Sequence, residues 1–442
     1  VVALLLGDAL DLYAGRVSAV AALLLLLLGA SAALGLLNAL YPRRVWWAVA
    51  PSWGAAFVTT ELALHLIALS TVAAAVLAAL GAIGHPAGLA GLALLVVTDL
   101  AALPLVFSAR RTRLSTGQLV ADLDTGGDET PSYPRSHIAF PWLVLRRPGV
   151  RVLRGVQFAS VDGRPLRADL YLPTAPPAPG TLRPGVVQVH GGAWVVGSRH
   201  EQGIPLLTHL AANGMVGMNI DYRLSPWALW PDHAVDVKRA IAWLREHAAE
   251  YDVDPGFIAV TGGSAGGHLA AFAALTSDDR SLQPGFEDAD TSVAACVPFY
   301  GVYDMVDEDR IHAPALHDMV LAPLVFRIRR QHAPDRYRAA SPRFRMHAAA
   351  PPFFVVHGSR DSLVPVQDAR TFVQELREIS EQPVIYAEMV GGQHAFDVIP
   401  SWRTAPVIEA IERFLTAAHR TARTPRDGAR ELQEDLTDAL TD

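Results

Sequence analysis

The 442-residue chain predicts an α/β fold, a mainly parallel sheet layered with helices and carrying a helical cap, preceded by an N-terminal transmembrane helical segment. Three observations predict it. The first hundred residues are rich in Leu and Ala and poor in charge, the composition turns abruptly polar after residue 113, and from Val150 on short β-branched runs alternate with longer amphipathic ones.

The elements follow in order. Val17 to Leu40 is a run of 24 residues without Asp, Glu, Lys or Arg, long enough to span a bilayer. A second uncharged run, Leu62 to Thr98, is 37 residues long and is broken by Gly81, Gly84, Pro86 and Gly88, so it reads as two crossings near residues 57–80 and 87–108. Glu61, His65 and Asp99 then fall in membrane-depth segments. Such groups are either functional or satisfied locally, Glu61 by lying near a helix end and Asp99 by pairing within the bundle. Val45 to Trp53, with Trp46, Trp47 and Trp53, reads as an interfacial belt. A cleaved signal peptide would account for the leucine block but not for the second run.

Arg43 and Arg44 follow the first crossing, and Arg110, Arg111 and Arg113 follow the third. With three crossings both basic loops share a side, which by the positive-inside rule is cytoplasmic, so the expectation is a multi-pass protein of the cell membrane with its C-terminal bulk in the cytoplasm. The expected organisation is a membrane domain over 1–113, a linker or lid arm over 114–149, an α/β domain over 150–418 and a polar, disordered tail over 419–442 with a short helix near Leu432 to Leu440. Residues 302–350 read as a cap insertion, where Met305, Leu316, Met319, Val320, Leu321, Leu324, Val325 and Phe326 stand beside Arg327, Arg329 and Arg330. They read either as a mobile lid or as an ordinary excursion with solvated arginines.

Composition excludes several classes. Lys plus Arg total 37 against 44 Asp plus Glu, a net charge of −7, so no global basic field exists to hold nucleic acid. The single Cys296 rules out an intrachain disulfide and any multi-cysteine zinc site.

Strands are expected at Val186–Val189, Val216–Ile220, Ile258–Val260, Ala294–Pro298, Phe353–Val356 and Val384–Glu388, with helices at Asp232–Ala248 and Val366–Ile379. In the first of these helices Ala234, Val237, Ile241 and Leu244 form one apolar stripe. In parallel sheets, sites gather at the carboxyl ends of strands, and three such ends carry chemistry. Phe257 to Ala271 reads strand, glycine turn, helix, and Gly262, Ser264 and Gly266 match the G-x-S-x-G elbow that presents a nucleophilic serine. A serine needs a base and the base needs an orienting acid. In the chain order of that fold, Asp361 follows the strand at 353–356 and His394 follows the next one. Alone, Asp361 reads as a helix N-cap and His394 as a surface-loop histidine. Their joint order favours a triad. After the strand at 186–189, Gly191, Gly192 and Ala193 offer backbone N–H groups for an oxyanion, joined by that of Ala265, while His190 is expected to hold the loop.

These motifs, with Asp221-Tyr222-Arg223-Leu224-Ser225-Pro226, resemble the α/β-hydrolase esterases and lipases related to hormone-sensitive lipase. With its apolar leader the chain is similar to the membrane-anchored lipase/esterase proteins of mycobacteria and other actinobacteria. The resemblance implies a catalytic triad of Ser264, Asp361 and His394, no metal and no cofactor, and acyl transfer through an acyl-enzyme. Two positions depart from the pattern: Ala193 replaces a frequent third glycine, and Gly263 stands where an acidic residue often precedes the nucleophile. The expected activity is hydrolysis of acyl esters or lipids by a serine carboxylesterase. An amidase or peptidase with the same triad, and a non-catalytic binding protein of this fold, are the alternatives. Oligomeric state is not legible in the sequence.

Overall fold

A computed structural model describes residues 2–43, 47–123, 125 and 132–423. The expected tail helix near 432–440, and Arg44, Trp46 and most of the glycine-rich part of the join, lie outside the described residues. The chain divides into two compact units at Arg110/Arg111.

The first unit is helical: α1 (Val2–Leu40), α2 (Val49–Glu61), α3 (Ala63–Ala79) and the long α4 (Pro86–Leu119), which runs on past the unit boundary. Two of these, over Leu12–Leu40 and Pro86–Leu119, are long and apolar enough to cross a membrane, and there are three if the bent pair α2–α3 counts as one. The crossing expected near 57–80 is not one continuous helix. The helix breaks at Leu62 (φ −108°, ψ 22°), and α2 and α3 meet at an 85° bend. The turn after α3 sits where the glycines foretold it, with Gly81 in the left-handed region at φ +90°. Small residues let α1 and α4 approach closely, because a Cβ on Gly91 would come within 2.5 Å of the Leu26 nitrogen. Asp99 accepts a hydrogen bond from Ser70 Oγ at 3.3 Å, and Glu61 is the last residue of α2.

The second unit begins with short turns at α5 (Arg135–Ala139) and Pro141–Arg146 that pack onto its body: the Tyr133 N–H donates to Glu409 Oε1 at 2.7 Å, and the Tyr133 ring stacks on His209 at 5.4 Å. Eight strands follow: β1 (Val150–Val161), β2 (Arg164–Pro173), β3 (Arg183–Val189), β4 (Val216–Ile220), β5 (Val253–Gly263), β6 (Ala295–Phe299), β7 (Phe353–Gly358) and β8 (Val384–Met389). They form one sheet in the order β1-β2-β4-β3-β5-β6-β7-β8. The β1–β2 and β2–β4 pairs are antiparallel and all others parallel. The six strands read from β-branched runs are present. The antiparallel β1–β2 hairpin is added at the edge, where Val150–Val161 is only half-buried and so alternates too irregularly to stand out.

Helices α6 (Ile204–Ala212), α7 (Asp232–Glu246), α8 (Ala265–Ala274), α9 (Pro334–Ala339), α10 (Val366–Ile379) and α11 (Thr404–Arg423) complete the layers. Ala234, Val237, Ile241 and Leu244 of α7 are all fully buried, as their spacing predicts. The region 302–350 is less helical than expected: its regular α-helix is confined to the six residues of α9, and Leu316–Phe326 is wound as a π-helix containing Pro323. Leu321, Val325 and Phe326 are buried in the main core, with Phe326 stacked on Tyr337 at 4.1 Å. The apolar side of this insertion therefore belongs to the body of the domain, while Arg327 and Arg329 face solvent.

Candidate active site

Ser264 stands between β5 and α8 at φ 58°, ψ −120°, a backbone conformation that an L-residue holds only when its surroundings enforce it. What enforces it is a tight fit. The Ser264 N–H donates to Phe299 O at 3.0 Å, and Gly266 leaves no room for a Cβ because the carbonyls of Val189 and His190 press against it. The elbow thus lies directly against the end of β3, and Ser264 Cβ is within 3.1 Å of where a Cβ on Gly191 would be.

Asp361 and His394 leave β7 and β8, neighbours in the sheet, and their side chains meet: His394 Nδ1 donates to Asp361 Oδ2 at 2.6 Å. The other oxygen, Oδ1, accepts the N–H groups of Leu363 and Val364, each at 2.8 Å. A second histidine, His357, brings Nε2 to 3.3 Å from Oδ2 while also facing Val364 O at 3.0 Å. Burial alone would raise the Asp361 pKa, but His394 and His357 with their hydrogen bonds outweigh it and hold the carboxyl far below the ordinary range. Asp361 is therefore a buried acceptor whose ionised form is favoured.

The loop after β3 is strained throughout: Gly192, Ala193 and Trp194 have φ of 116°, 53° and 62°. His190 holds it as expected, its Nδ1–H donating to Gly191 O at 2.7 Å and its ring stacked 4.4 Å from Tyr222. One expected donor is corrected. The Gly191 N–H is engaged by Gln202 Oε1 at 2.7 Å, which turns it away from any ligand. The N–H groups of Gly192, Ala193 and Ala265 carry no hydrogen bond to another described residue outside the helices. Ala193 does adopt the positive φ that a third glycine would supply. The Asp221–Pro226 segment is an anchor, with Arg223 bound to Asp236 by Nε at 2.8 Å and Nη2 at 2.9 Å.

Three residues without a role in the sequence reading support this arrangement. Gln393 Oε1 accepts from the N–H of Ser362 and of His394, both at 2.8 Å, and so ties the acid loop to the histidine loop. The Tyr300 ring lies 4.5 Å from that of His394, and its hydroxyl donates to Asp397. His357 is the third. Gln393 and His357 flank the motif residues in sequence, whereas nothing local marks Tyr300. Among the described residues no group of His, Cys, Asp and Glu is placed to hold a metal ion.

A family model described as BD-FAE matches residues 168–376. "Probable carboxylic ester hydrolase LipM" of Mycobacterium tuberculosis (strain ATCC 25618 / H37Rv) is 43% identical over 343 residues, covering 74% of this chain and 78% of LipM. The chain belongs to the esterase family related to hormone-sensitive lipase. "Esterase LipQ" of the same organism is 44% identical over 255 residues, 58% of this chain and 60% of that protein. Among solved structures, a truncated carbohydrate esterase from gut microbiota superposes with a TM-score of 0.51 at 22% identity, covering 61% of this chain and 96% of that one, which is a likeness of fold.

Proposed function

We propose that the protein is a membrane-anchored serine carboxylic ester hydrolase with Ser264 as nucleophile, His394 as base and Asp361 as the orienting acid. The observation that carries it is the 2.6 Å contact of His394 Nδ1 with a buried Asp361 after β8 and β7, in the same sheet as the serine held in a strained elbow after β5, with only β6 between. With Nδ1–H committed to Asp361, the other ring nitrogen is the unprotonated one and accepts the Ser264 proton as Oγ attacks the ester carbonyl. The N–H groups of Gly192, Ala193 and Ala265 receive the developing oxyanion, a contribution of about 3–4 kcal/mol for one such donor. His394 then returns the proton to the departing alcohol, and water, activated by the same imidazole, releases the acid from Ser264.

The test is labelling of membranes by a fluorophosphonate probe in wild type, Ser264→Ala and His394→Ala. Labelling in the wild type that is lost in both variants supports the reading, and no labelling in any of the three overturns it. The relatives are named as ester hydrolases, which favours ester over amide substrates.

The apolar helices support a membrane anchor with α2 and α3 as one span. In that case the loop at Arg43 and the basic end of α4 at Arg111 and Arg113 share the cytoplasmic side with the hydrolase unit. Reporter fusions after residues 42, 84 and 115 test it, and a periplasmic signal at 115 overturns the orientation.

A further inference from the structure

A second polar pocket lies in the 302–350 insertion, built by different residues from those of the triad. Its volume is about 270 Å³, and Asp307, Arg310, His312, His317, Arg329 and Arg330 are among the side chains that line it. The volume suits a small group rather than a whole acyl chain.

His317 shows what the pocket lacks. It is 5% exposed, and Arg330 Nη1 approaches its Nε2 at 3.4 Å. Asp307 Oδ2 faces the same Nε2 from 3.7 Å, so the guanidinium is the nearer group; a guanidinium only donates, which makes Nε2 the acceptor and leaves the hydrogen on Nδ1. That Nδ1–H is buried and has no partner among the described residues. A buried donor left unpaired costs on the order of 1–3 kcal/mol, and an acceptor in the pocket would satisfy it.

The surrounding charge calls for an anion. Arg310 and Arg329 line the pocket from opposite ends of the segment, and neither guanidinium makes a hydrogen bond or ion pair with a described residue. Arg330 is already held by Val306 O at 2.6 Å and Asp307 Oδ2 at 3.4 Å. Of the carboxylates, Asp307 spends Oδ1 on the N–H groups of Ile311 and His312, at 2.7 and 3.1 Å, and Asp318 sits exposed at the rim. Burial works against a charge on His312, but Asp368, Asp307 and Asp304 together raise its pKa above the ordinary histidine value. The backbone is strained around the same pocket, with Asp307, Arg310 and Arg327 at φ of 59°, 53° and 53°, and one wall is the π-helix. Strain and π-turns of this kind persist where a fold holds side chains toward a ligand.

We propose that this pocket binds a tetrahedral oxyanion, a phosphate group, through His317 Nδ1–H and the guanidinium groups of Arg310 and Arg329. Donors from three separate chain segments match the spread of oxygens on a tetrahedral anion, and arginine is suited to that recognition. The group is either free inorganic phosphate or a phosphomonoester at a membrane surface.

The experiment uses the full chain in phosphatidylcholine nanodiscs and follows thermal unfolding with inorganic phosphate against sodium chloride of equal ionic strength. Wild type is expected to gain roughly 3 °C in phosphate. The gain disappears in the double variant Arg310→Gln/Arg329→Gln and persists in Arg151→Gln/Arg164→Gln, which removes the same charge from the exposed β1–β2 hairpin. If the double variant does not fold, the two single variants replace it, each halving the gain or more. No gain in wild type, or an equal loss in both double variants, overturns the proposal. Nanodiscs containing phosphatidic acid separate the sources. Stabilisation there without added phosphate, dependent on Arg310 and Arg329, assigns a lipid headgroup, and stabilisation by soluble phosphate alone assigns the free anion.

Discussion

Tyr300 fills the space that a side chain at position 263 would need: a Cβ on Gly263 would lie 2.7 Å from the Tyr300 hydroxyl and 3.0 Å from its ring. Gly263 is one of the two departures from the family pattern, and this is its physical reason. The acidic residue frequent before the nucleophile has no room, because Tyr300 leans over the elbow, packs on His394 and binds Asp397.

Gly263→Asp should therefore lower kcat/KM at least tenfold, and Tyr300→Ala in the same chain should relieve part of the loss. In a double-mutant cycle measured by ester hydrolysis, contacting residues couple by about 0.5–3 kcal/mol. Strict additivity of the two losses would mean that the tyrosine does not set residue 263.

Asp361→Asn should reduce kcat by roughly 10³- to 10⁴-fold with little change in KM, because the amide cannot hold His394 in the required tautomer. His357→Phe removes only the weaker contact on the same oxygen and should cost far less, about tenfold. Single-turnover acylation rates distinguish the two, and equal losses would show that His357 is as necessary as the triad acid.

Gln393→Leu keeps the volume but deletes the acceptor shared by Ser362 and His394. The expected result is a fall in kcat of about 10- to 100-fold with KM nearly unchanged, alongside a loss of stability of about 1–3 kcal/mol for each buried N–H left unpaired. A variant that instead loses stability without losing kcat would assign Gln393 to the fold alone.

Acid should destabilise the second unit through two buried histidines outside the triad. His268 accepts from Trp194 Nε1 at 3.3 Å and donates from Nε2 to Ala340 O at 2.8 Å, so its neutral form is fully used, and burial pushes its pKa down to about 3. His233 is lowered to about 3 by burial and by Arg223. In the unfolded chain both titrate near 6.5. Between pH 6.5 and 3 the unfolded state thus binds protons that the folded state refuses, and stability falls as pH drops. Each group contributes about 1.4 kcal/mol per pH unit at most. Denaturant unfolding across this range should show that slope, reduced by one proton's worth in His233→Gln. An unchanged slope in that variant would mean His233 is protonated in the fold.

The sequence by itself determined a great deal here because its signals are local. A strand, a glycine turn and a small-residue helix are contiguous at Ser264, the hydrophobic period of α7 is contiguous, and the chain order of Ser264, Asp361 and His394 follows from which loops leave the sheet on one side. The leucine block and the glycine-broken run likewise declared their apolar helices without any partner. What only the tertiary structure decided depends on groups far apart in the chain. Gln202 takes the Gly191 N–H, a choice made by the close packing of two loops. Tyr300 reaches Gly263 and Asp397 across the sheet, and the 85° bend between α2 and α3 falls at Glu61 and Leu62, where no glycine or proline marks it. Periodicity reports which face of an element is buried. It does not report which distant side chain competes for a given N–H, and that competition separates an oxyanion donor from a structural one.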